Sequence, residues 1–460
     1  MRFTPTLALL LCTFFGMARP NVVLIMSDDM GWGDPTCYGS KRNNTPNLDR
    51  LASEGMRFTS FYATQAVCTA SRASLLSGCY SNRVGLGGLA LPPKAKIGLN
   101  PEEQSLATLL KASGYHTGVV GKWHVGDQPK FLPPAHGFEE SFILPYSNDM
   151  WPNGYVPGDP MRNFPILPWY VDGHVFGAVK DWTDMDNLTT VQGFRAAKFI
   201  TDHAKGGEPF FLYLATSMPH VPLGASAKFK GKGATPYADT MADIDDMIGH
   251  LLDLLKEKGL DQNTLVIFTS DNGPWLNFGS HAGSAGPFRE GKGTTWEGGV
   301  RVPMIVRWPG VVKPGSVTDA LAANMDFLPT LVEACGAKSP ELPIDGQSFL
   351  PVLQGKAQQV REVFAYYYGD KLEAIRRGPW KLHLPHDYRS YEGMQPADRA
   401  GHAMAYRKGH VDFALYNLET DLGERHDVSE AHPDLVRELK ELAEKERAKL
   451  DAGKRPVGKI

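Results

Sequence analysis

The sequence predicts an α/β protein built on a mainly parallel sheet, followed by a smaller C-terminal region of antiparallel strands. Three observations carry that expectation. Continuous apolar runs such as NVVLIM at 21–26 and TLVIF at 264–268 read as strands buried on both faces. Segments with helical spacing of apolar residues stand between such runs, so that strand and helix alternate. After about residue 350 the alternation stops, and the short runs VFAYYY, EAIR and WKLH suit a small antiparallel sheet.

The elements follow in order. Residues 1–18 place Arg2 before the apolar run 7–15 and end in Gly16-Met17-Ala18, a secretory signal pattern with cleavage after Ala18. The run is too short to span a bilayer and no other segment approaches that length, so the mature chain is expected to be exported, soluble and not membrane-spanning. The first strand, 21–26, ends abruptly in Ser27-Asp28-Asp29. Residues 45–56 read as a helix with Thr45 as cap and Pro46 in the first turn. In VCTASRASLLSG, 67–78, Cys68 stands just before a short helix. Another helix covers 105–112, stopped at Gly114, and the strand 117–120 leads into Gly121-Lys122-Trp123-His124. Residues 188–204 look helical, and the strand 209–215 runs towards Met218-Pro219-His220. From 237 to 258, Ile244, Met247, Ile248, Leu251, Leu252 and Leu255 share one helical face. Strand 264–268 then ends in Ser270-Asp271-Asn272-Gly273, and 302–307 is a further strand. Strands at 363–368, 373–376 and 380–383 and an amphipathic helix at 432–450, with Pro433 near its start, close the chain. A boundary near 350–360 divides it into units 19–355 and 356–460.

Composition excludes some functions. Of 460 residues, 42% are apolar and 22% charged; Lys+Arg 48 against Asp+Glu 51 leaves no basic excess, which argues against nucleic acid as a partner. Cys12 leaves with the signal. Cys37, Cys68, Cys79 and Cys335 could form at most two pairs, and their spacing matches no zinc site.

Polar residues collect beyond the carboxyl ends of four predicted strands: Asp28-Asp29, Lys122 with His124, His220, and Asp271-Asn272. In open α/β sheets ligands bind at that edge. One Asp pair after a strand is commonly a cap or turn; two S-D-[DN] tails on separate apolar strands are harder to dismiss. Three carboxylates and an amide oxygen gathered there would repel unless a hard cation joined them, and oxygen-only ligation points to calcium or magnesium. Lys122, His124, Lys292 in GKGTTWEGG and Arg72 are each ordinary alone. As a set beside a cation they suit a tetrahedral oxyanion such as sulfate or phosphate, with His124 and His220 available for proton transfer. Cys68 stays open between a buried structural thiol, half a disulfide, a thiolate nucleophile and a precursor of something else. A thiolate is a poor match for a hard cation among carboxylates.

Cys68-Thr69-Ala70-Ser71-Arg72 resembles the C-x-[PA]-S-R signature of the type I sulfatases, within the alkaline phosphatase superfamily. The resemblance extends through NVVLIMSDDMGWGD, TPNLDRLASEGMRF, GYHTGVVGKWHVG, FTSDNG and GKGTTWEGGVRVP, nearly the whole mature chain, and looks most like the arylsulfatase A and N-acetylgalactosamine-6-sulfatase members. It implies a large mixed, mainly parallel sheet sandwiched by helices, with a smaller C-terminal α+β subdomain carrying an antiparallel sheet. It also implies that Cys68 is oxidised by a formylglycine-generating maturation enzyme to Cα-formylglycine, whose aldehyde hydrates to a geminal diol. One hydroxyl would attack sulfur to form a covalent sulfate hemiester, and the other would expel sulfate by re-forming the aldehyde. By the same resemblance Asp28, Asp29, Asp271 and Asn272, with an oxygen from residue 68, look like ligands of one Ca2+. His220 looks like the acid for the leaving alcohol, assisted by Lys292, and His124 like the helper of elimination. Arg72 and Lys122 would steady the diol and the developing charge, and Ser147 would contact sulfate.

The expected substrate is therefore a sulfated small molecule or saccharide, with residues 151–182 shaping the leaving-group pocket. A phosphonate or phosphodiester hydrolase of the same superfamily is the chemical rival. A silent sulfatase-like binding protein is the alternative from another class, and a thiol hydrolase stands behind both. The compartment would be periplasmic or extracellular, or lysosomal in a eukaryote, where Asn43-Asn-Thr45 and Asn187-Leu-Thr189 fit glycosylation sequons.

Overall fold

Strand Asn21–Ser27 is buried along its whole length because it lies at the middle of the large sheet, with Thr264–Ser270 on one side and Phe210–Ala215 on the other, both parallel to it. The computed structural model describes residues 19–88, 90–158, 163–394 and 401–460; the expected signal segment lies outside them. Beyond Phe210–Ala215 come His116–Lys122 and Glu140–Leu144, again parallel. Five neighbouring strands thus present their carboxyl ends at one edge. The flanks are mixed. Arg301–Arg307 runs antiparallel to Thr264–Ser270 and to Met56–Tyr62, and the hairpin Leu167–Val171 with His174–Val179 extends the opposite side. Ser316–Thr318 and Ala322–Ala323 pair with Met56–Tyr62, completing eleven strands among the described residues.

Alternation along the first strand shows why a continuous apolar run is needed there. Val22, Leu24 and Met26 enter one core cluster, shared with Leu75, Leu110 and Leu331 of helices Cys68–Ser77, Leu106–Ala112 and Phe327–Ala334. Val23 and Ile25 enter a second cluster, with Leu51, Ile200 and Ile248 of helices Pro46–Ser53, Leu188–His203 and Pro236–Glu257. Each such aliphatic side chain contributes about 1.5–3 kcal/mol by leaving water. The sheet is sandwiched, as expected.

Two local expectations need correction. Residues 45–56 are not one helix: it ends at Ser53, and Met56 already begins a strand. Gly55 permits that change of direction, since a Cβ there would stand 2.3 Å from the Val306 carbonyl oxygen. Thr45 sits at the cap position, but its hydroxyl exchanges hydrogen bonds with Thr36 rather than capping. Ser105 and Thr235 do cap, accepting from the amides of Thr108 and Ala238.

In the C-terminal region Val363–Tyr368, Lys371–Arg377, Trp380–His383 and Ala414–Asn417 form the antiparallel sheet. Helix Pro433–Ala452 covers it through Leu439, Ala443 and Leu450. That core also takes in Tyr62, Val300 and Met325 from the earlier part of the chain. A separate hairpin, His386–Ser390 with Arg407–Val411, is held to the large sheet's loops by Tyr391, whose hydroxyl donates to the Lys292 carbonyl at 2.7 Å. Cys37, Cys68, Cys79 and Cys335 are all free thiols. Among the described residues no helix is long and apolar enough to cross a membrane.

Candidate active site

Ser27 and Ser270 are register partners, so Asp28 and Asp271 leave the sheet side by side. On the other flank Lys122 is in register with Leu144, three residues before Ser147, and His220 follows the Phe210–Ala215 strand. Helix Cys68–Ser77 begins at this edge. Cys68 is its first residue rather than the one before it, which puts Arg72 one turn along on the same face. Every residue expected at the site is brought together: Cys68, Arg72, Lys122, His124, Ser147, His220, Lys292, Asp28, Asp29, Asp271 and Asn272 are all buried.

The charges interlock. Arg72 donates from Nε (3.1 Å) and Nη2 (2.9 Å) to Asp271 Oδ2, and from Nη1 to the Lys122 carbonyl at 2.8 Å. Lys122 Nζ reaches Asp28 Oδ2 at 2.5 Å and Ser147 Oγ at 3.2 Å. Lys292 Nζ lies 2.8 Å from Asp29 Oδ2, and Asn272 Nδ2 donates to Asp29 Oδ1 at 2.7 Å. Three cations, Arg72, Lys122 and Lys292, therefore meet three carboxylates, and the repulsion expected among the acids is answered first by side chains. Within the expected ligand set of Asp28, Asp29, Asp271 and Asn272, two oxygens are left over in this dry centre. Asp28 Oδ1 and Asn272 Oδ1 are buried without a hydrogen-bond partner, a costly state for a polar atom unless something else occupies it. Asp28, Asp29 and His220 offer ligand atoms within 4.8 Å of one another. An oxygen-rich donor set with unspent lone pairs fits a hard divalent cation.

The histidines have assignable tautomers. His124 Nε2 faces the Leu91 carbonyl at 3.1 Å and must carry the proton, so the Nδ1 lone pair faces Cys68 Sγ at 3.2 Å. His220 Nδ1 donates to the Val221 carbonyl, leaving Nε2 towards Asp29 Oδ2 at 3.5 Å. Burial, reinforced by nearby cations, holds both rings well below the ordinary histidine range, so both rest neutral. Burial also pushes the Cys68 thiol up, against the pull of Lys122 and Lys292, which disfavours a resting thiolate. Burial raises the Asp29 carboxyl to about 7, with Lys292 opposing and Asp28 and Asp271 adding to the rise. At Asp28 the same burial is outweighed by Lys122, Arg72 and Lys292, and the carboxyl falls below its usual range. Lys292, beside Asp29 and Cys68, is driven upward despite burial and stays charged.

Asp29 and His124 both hold left-handed backbones, φ 61° and 59°, a strained choice for residues with a Cβ that clusters at functional sites. Sequence reasoning missed two side chains that fix this geometry. Thr69 Oγ1 donates to the His124 carbonyl at 2.8 Å and accepts from the Leu91 amide at 3.1 Å. Asn148 Nδ2 donates to the carbonyls of His220 (3.2 Å) and Pro222 (3.1 Å). Thr69 lay inside the quoted signature; nothing in the sequence marked Asn148, whose partners are more than 70 residues away.

Comparison with known proteins gives the family. A profile of the family described as Sulfatase matches residues 20–337, and one described as N-sulphoglucosamine sulphohydrolase, C-terminal, matches 291–449. Arylsulfatase A of Bos taurus is 38% identical, over 97% of this chain and 91% of its own. N-acetylgalactosamine-6-sulfatase of Rattus norvegicus is 40% identical, over 79% and 71%. The crystal structure of the PsFucS1 sulfatase from Pseudoalteromonas sp. superposes with a TM-score of 0.86 at 31% identity, covering 96% of this chain and 92% of that one. The chain belongs to the sulfatase family and is a sulfuric ester hydrolase.

Proposed function

We propose that the protein hydrolyses sulfate monoesters, aryl or carbohydrate, to the alcohol and inorganic sulfate at a Cys68 matured to Cα-formylglycine beside one calcium ion. The observation that carries this reading is the pair of unpartnered oxygens, Asp28 Oδ1 and Asn272 Oδ1, in a buried centre whose side-chain charges already balance. Asp28, Asp29, Asp271 and Asn272 would hold the ion. When present, the hydrated aldehyde supplies an oxygen nucleophile able to leave again as a carbonyl, and calcium supplies the excess positive charge that draws an anionic ester.

The chain's own residues have distinct tasks in this scheme. Arg72, spent on Asp271 and the Lys122 carbonyl, keeps the start of the residue-68 helix in register with the sheet edge. Lys122 and Lys292 present ammonium groups to sulfate oxygens, and Ser147 adds a hydroxyl beside Lys122. His220 Nε2 rests unprotonated, and the charge of an arriving sulfate ester favours its protonation; that proton then goes to the leaving oxygen, with Lys292 alongside. His124 Nδ1, with its lone pair aimed at position 68, accepts a proton there as sulfate departs. Export through residues 1–18, a maturation enzyme acting on Cys68, and a division into a catalytic unit 19–355 and a C-terminal unit 356–460 complete the proposal.

Two measurements test it. Purified protein should release sulfate from an aryl sulfate far faster than it cleaves an aryl phosphodiester or phosphonate; a preference for the phosphorus substrates overturns the substrate class. Peptide mass spectrometry across residue 68 should find the aldehyde in active protein. An unmodified thiol in fully active enzyme removes position 68 from the scheme.

A further inference from the structure

Arg389, in strand His386–Ser390 of the C-terminal hairpin, reaches back over the loop that carries Lys292. A Cβ at Gly293 would come within 3.0 Å of Arg389 Nη1, and Gly293 has φ +80°, so only glycine lets the chain turn beneath the guanidinium. That group lies 4.7 Å from the Tyr406 ring centre and 5.7 Å from that of Tyr368. Its polar partners are two phenols: Nη2 donates to Tyr368 Oη at 2.7 Å, and Nη1 more weakly to Tyr406 Oη at 3.4 Å. Among the described residues no carboxylate pairs with it. Among the described residues this positive charge is held in place without a counter-charge.

The wall from the site to Arg389 is continuous. The Trp275 ring lies 5.5 Å from the His220 ring and 4.6 Å from Lys292 Nζ, and Trp275 Nε1 donates to Tyr406 Oη, the same phenol that Arg389 touches. His220 and Lys292 are buried, whereas Trp275, Tyr406, Arg389 and Tyr368 are half-buried. The wall therefore climbs from the dry centre towards solvent, as the side of a leaving-group pocket must.

We propose that this wall is a second anion subsite. It takes a carboxylate or sulfate on the sugar ring adjoining the one that bears the scissile ester, with Arg389 as the specificity-determining residue and Trp275 and Tyr406 as the ring platform. The inference rests on the sulfatase reading of the centre above. A guanidinium held on edge by two phenols keeps its fork geometry at little entropic cost and gains charge-assisted hydrogen bonds from a planar or tetrahedral anion. A neutral ring in the same place gains stacking alone.

The test uses disaccharides of N-acetylgalactosamine 6-sulfate linked to glucuronate, to the methyl ester of that glucuronate, or to a second sulfated ring. The matching compounds without the scissile sulfate serve as non-reacting ligands. The charged neighbours should exceed the methyl ester in kcat/KM by about tenfold or more, and whichever charged arm leads identifies the anion. Arg389→Gln should bring that ratio towards one, and Arg389→Lys should keep part of it. Calorimetric affinities of the non-reacting ligands should follow the same order. Equal handling of the acid and its methyl ester, or an Arg389→Gln loss shared by all three substrates, overturns the subsite. Arg389-dependent binding of the glucuronate ligand with no cleavage of any ester would support the subsite and sink the sulfatase reading instead.

Discussion

Two buried ionic clusters lie in this molecule, and their difference separates a site from a joint. At the seam with the C-terminal sheet, Glu297 is ringed by Tyr62 (2.6 Å), Tyr366 (3.0 Å), Lys381 (3.0 Å) and Arg301 (3.2 Å). Glu424 accepts from His383 at 2.9 Å and from the Glu297 amide at 2.7 Å, and pairs with Lys381 at 2.8 Å. All four carboxylate oxygens are in use, and Lys381 spends its third donor on the Thr295 carbonyl at 2.8 Å. At the sheet edge the acids and bases are as dry and as evenly matched, yet Asp28 Oδ1 and Asn272 Oδ1 have no partner. The joint leaves one ring nitrogen, His383 Nδ1, without a partner, but a network whose carboxylate oxygens are all spent has none to offer a cation and can only hold elements together. An unsaturated one has capacity for a ligand.

The largest predicted effect falls on the unsaturated cluster and spares the fold. Cys68→Ala should cut kcat on an aryl sulfate by at least about 10⁴-fold, more than ~5 kcal/mol of transition-state stabilisation. Its midpoint of unfolding should move by no more than about 1 kcal/mol, since one buried atom is lost. Activity retained within tenfold would end the nucleophile assignment. The saturated cluster should respond the other way. Glu297→Ala strands Arg301 without a counter-charge, leaves Lys381 with Glu424 alone, and should cost about 3–5 kcal/mol of stability in urea denaturation. The fraction that stays folded should still turn over substrate. A stability change under about 1 kcal/mol would refute the view of this network as the joint.

Much of the unsaturated cluster was legible in the sequence, because its acids sit directly after apolar strands and a strand's end is a local property. Asp28 follows a run that can only be a central strand, and Asp271 follows a second such run, so register alone pairs them. Ser147 was placed through family resemblance; its strand, Glu140–Leu144, is five residues long and was not read at all. The flanking strands Met56–Tyr62 and Leu167–Val171 escaped for a related reason. The first pairs with Arg301–Arg307, far along the chain, and its opening residue Met56 was taken for the end of the preceding helix; the second pairs locally with His174–Val179, but its five residues include Pro168 and offer no continuous apolar run. The joint was invisible. Glu297, Lys381 and Glu424 are spread over 128 positions, and each alone looks like a solvated charge. Nor could the sequence show that Arg72, Lys122 and Lys292 would neutralise the three aspartates, a role first given wholly to a metal.

A smaller, pH-dependent effect distinguishes the joint from the site without removing any contact. Burial, with the Glu297 charge adding and Lys381 opposing, holds the Glu424 carboxyl up at about 7 against an ordinary 4.5. Between those values the folded chain keeps a proton that the unfolded chain has lost. The resulting stabilisation is complete below about pH 4.5 and gone once pH passes about 7, a span of about 3 kcal/mol at most. Glu297 is displaced the other way, below its ordinary value: burial alone would raise it, but Lys381, Arg301 and Arg376 outweigh that. Its contribution is present above about 4.5 and fades only in stronger acid, so the two windows do not overlap. Glu424→Gln should flatten the decline in stability from about pH 5 to about pH 8, read by denaturation at each pH. An unchanged slope would show that Glu424 is already ionised in the folded chain.

The finest comparison deletes one hydroxyl from each cluster. Ser147 Oγ stands 3.2 Å from Lys122 Nζ, while Thr295 Oγ1 donates to Glu373 Oε2 at 3.0 Å; both residues are buried. Each hydrogen bond is worth about 0.5–1.5 kcal/mol. At the site that sum should appear in the reaction. Lys122 keeps its bond to Asp28 when Ser147 becomes Ala, so the fold loses little, but a donor to bound sulfate disappears and kcat/KM should drop about three- to tenfold, mostly through KM. At the joint, Thr295→Ala leaves the Glu373 carboxylate short of a partner, and the loss should appear as stability with KM unmoved. If both variants lose stability alike and neither changes KM, the capacity for a ligand does not extend as far as Ser147, and the open part of the cluster shrinks to the two oxygens of Asp28 and Asn272.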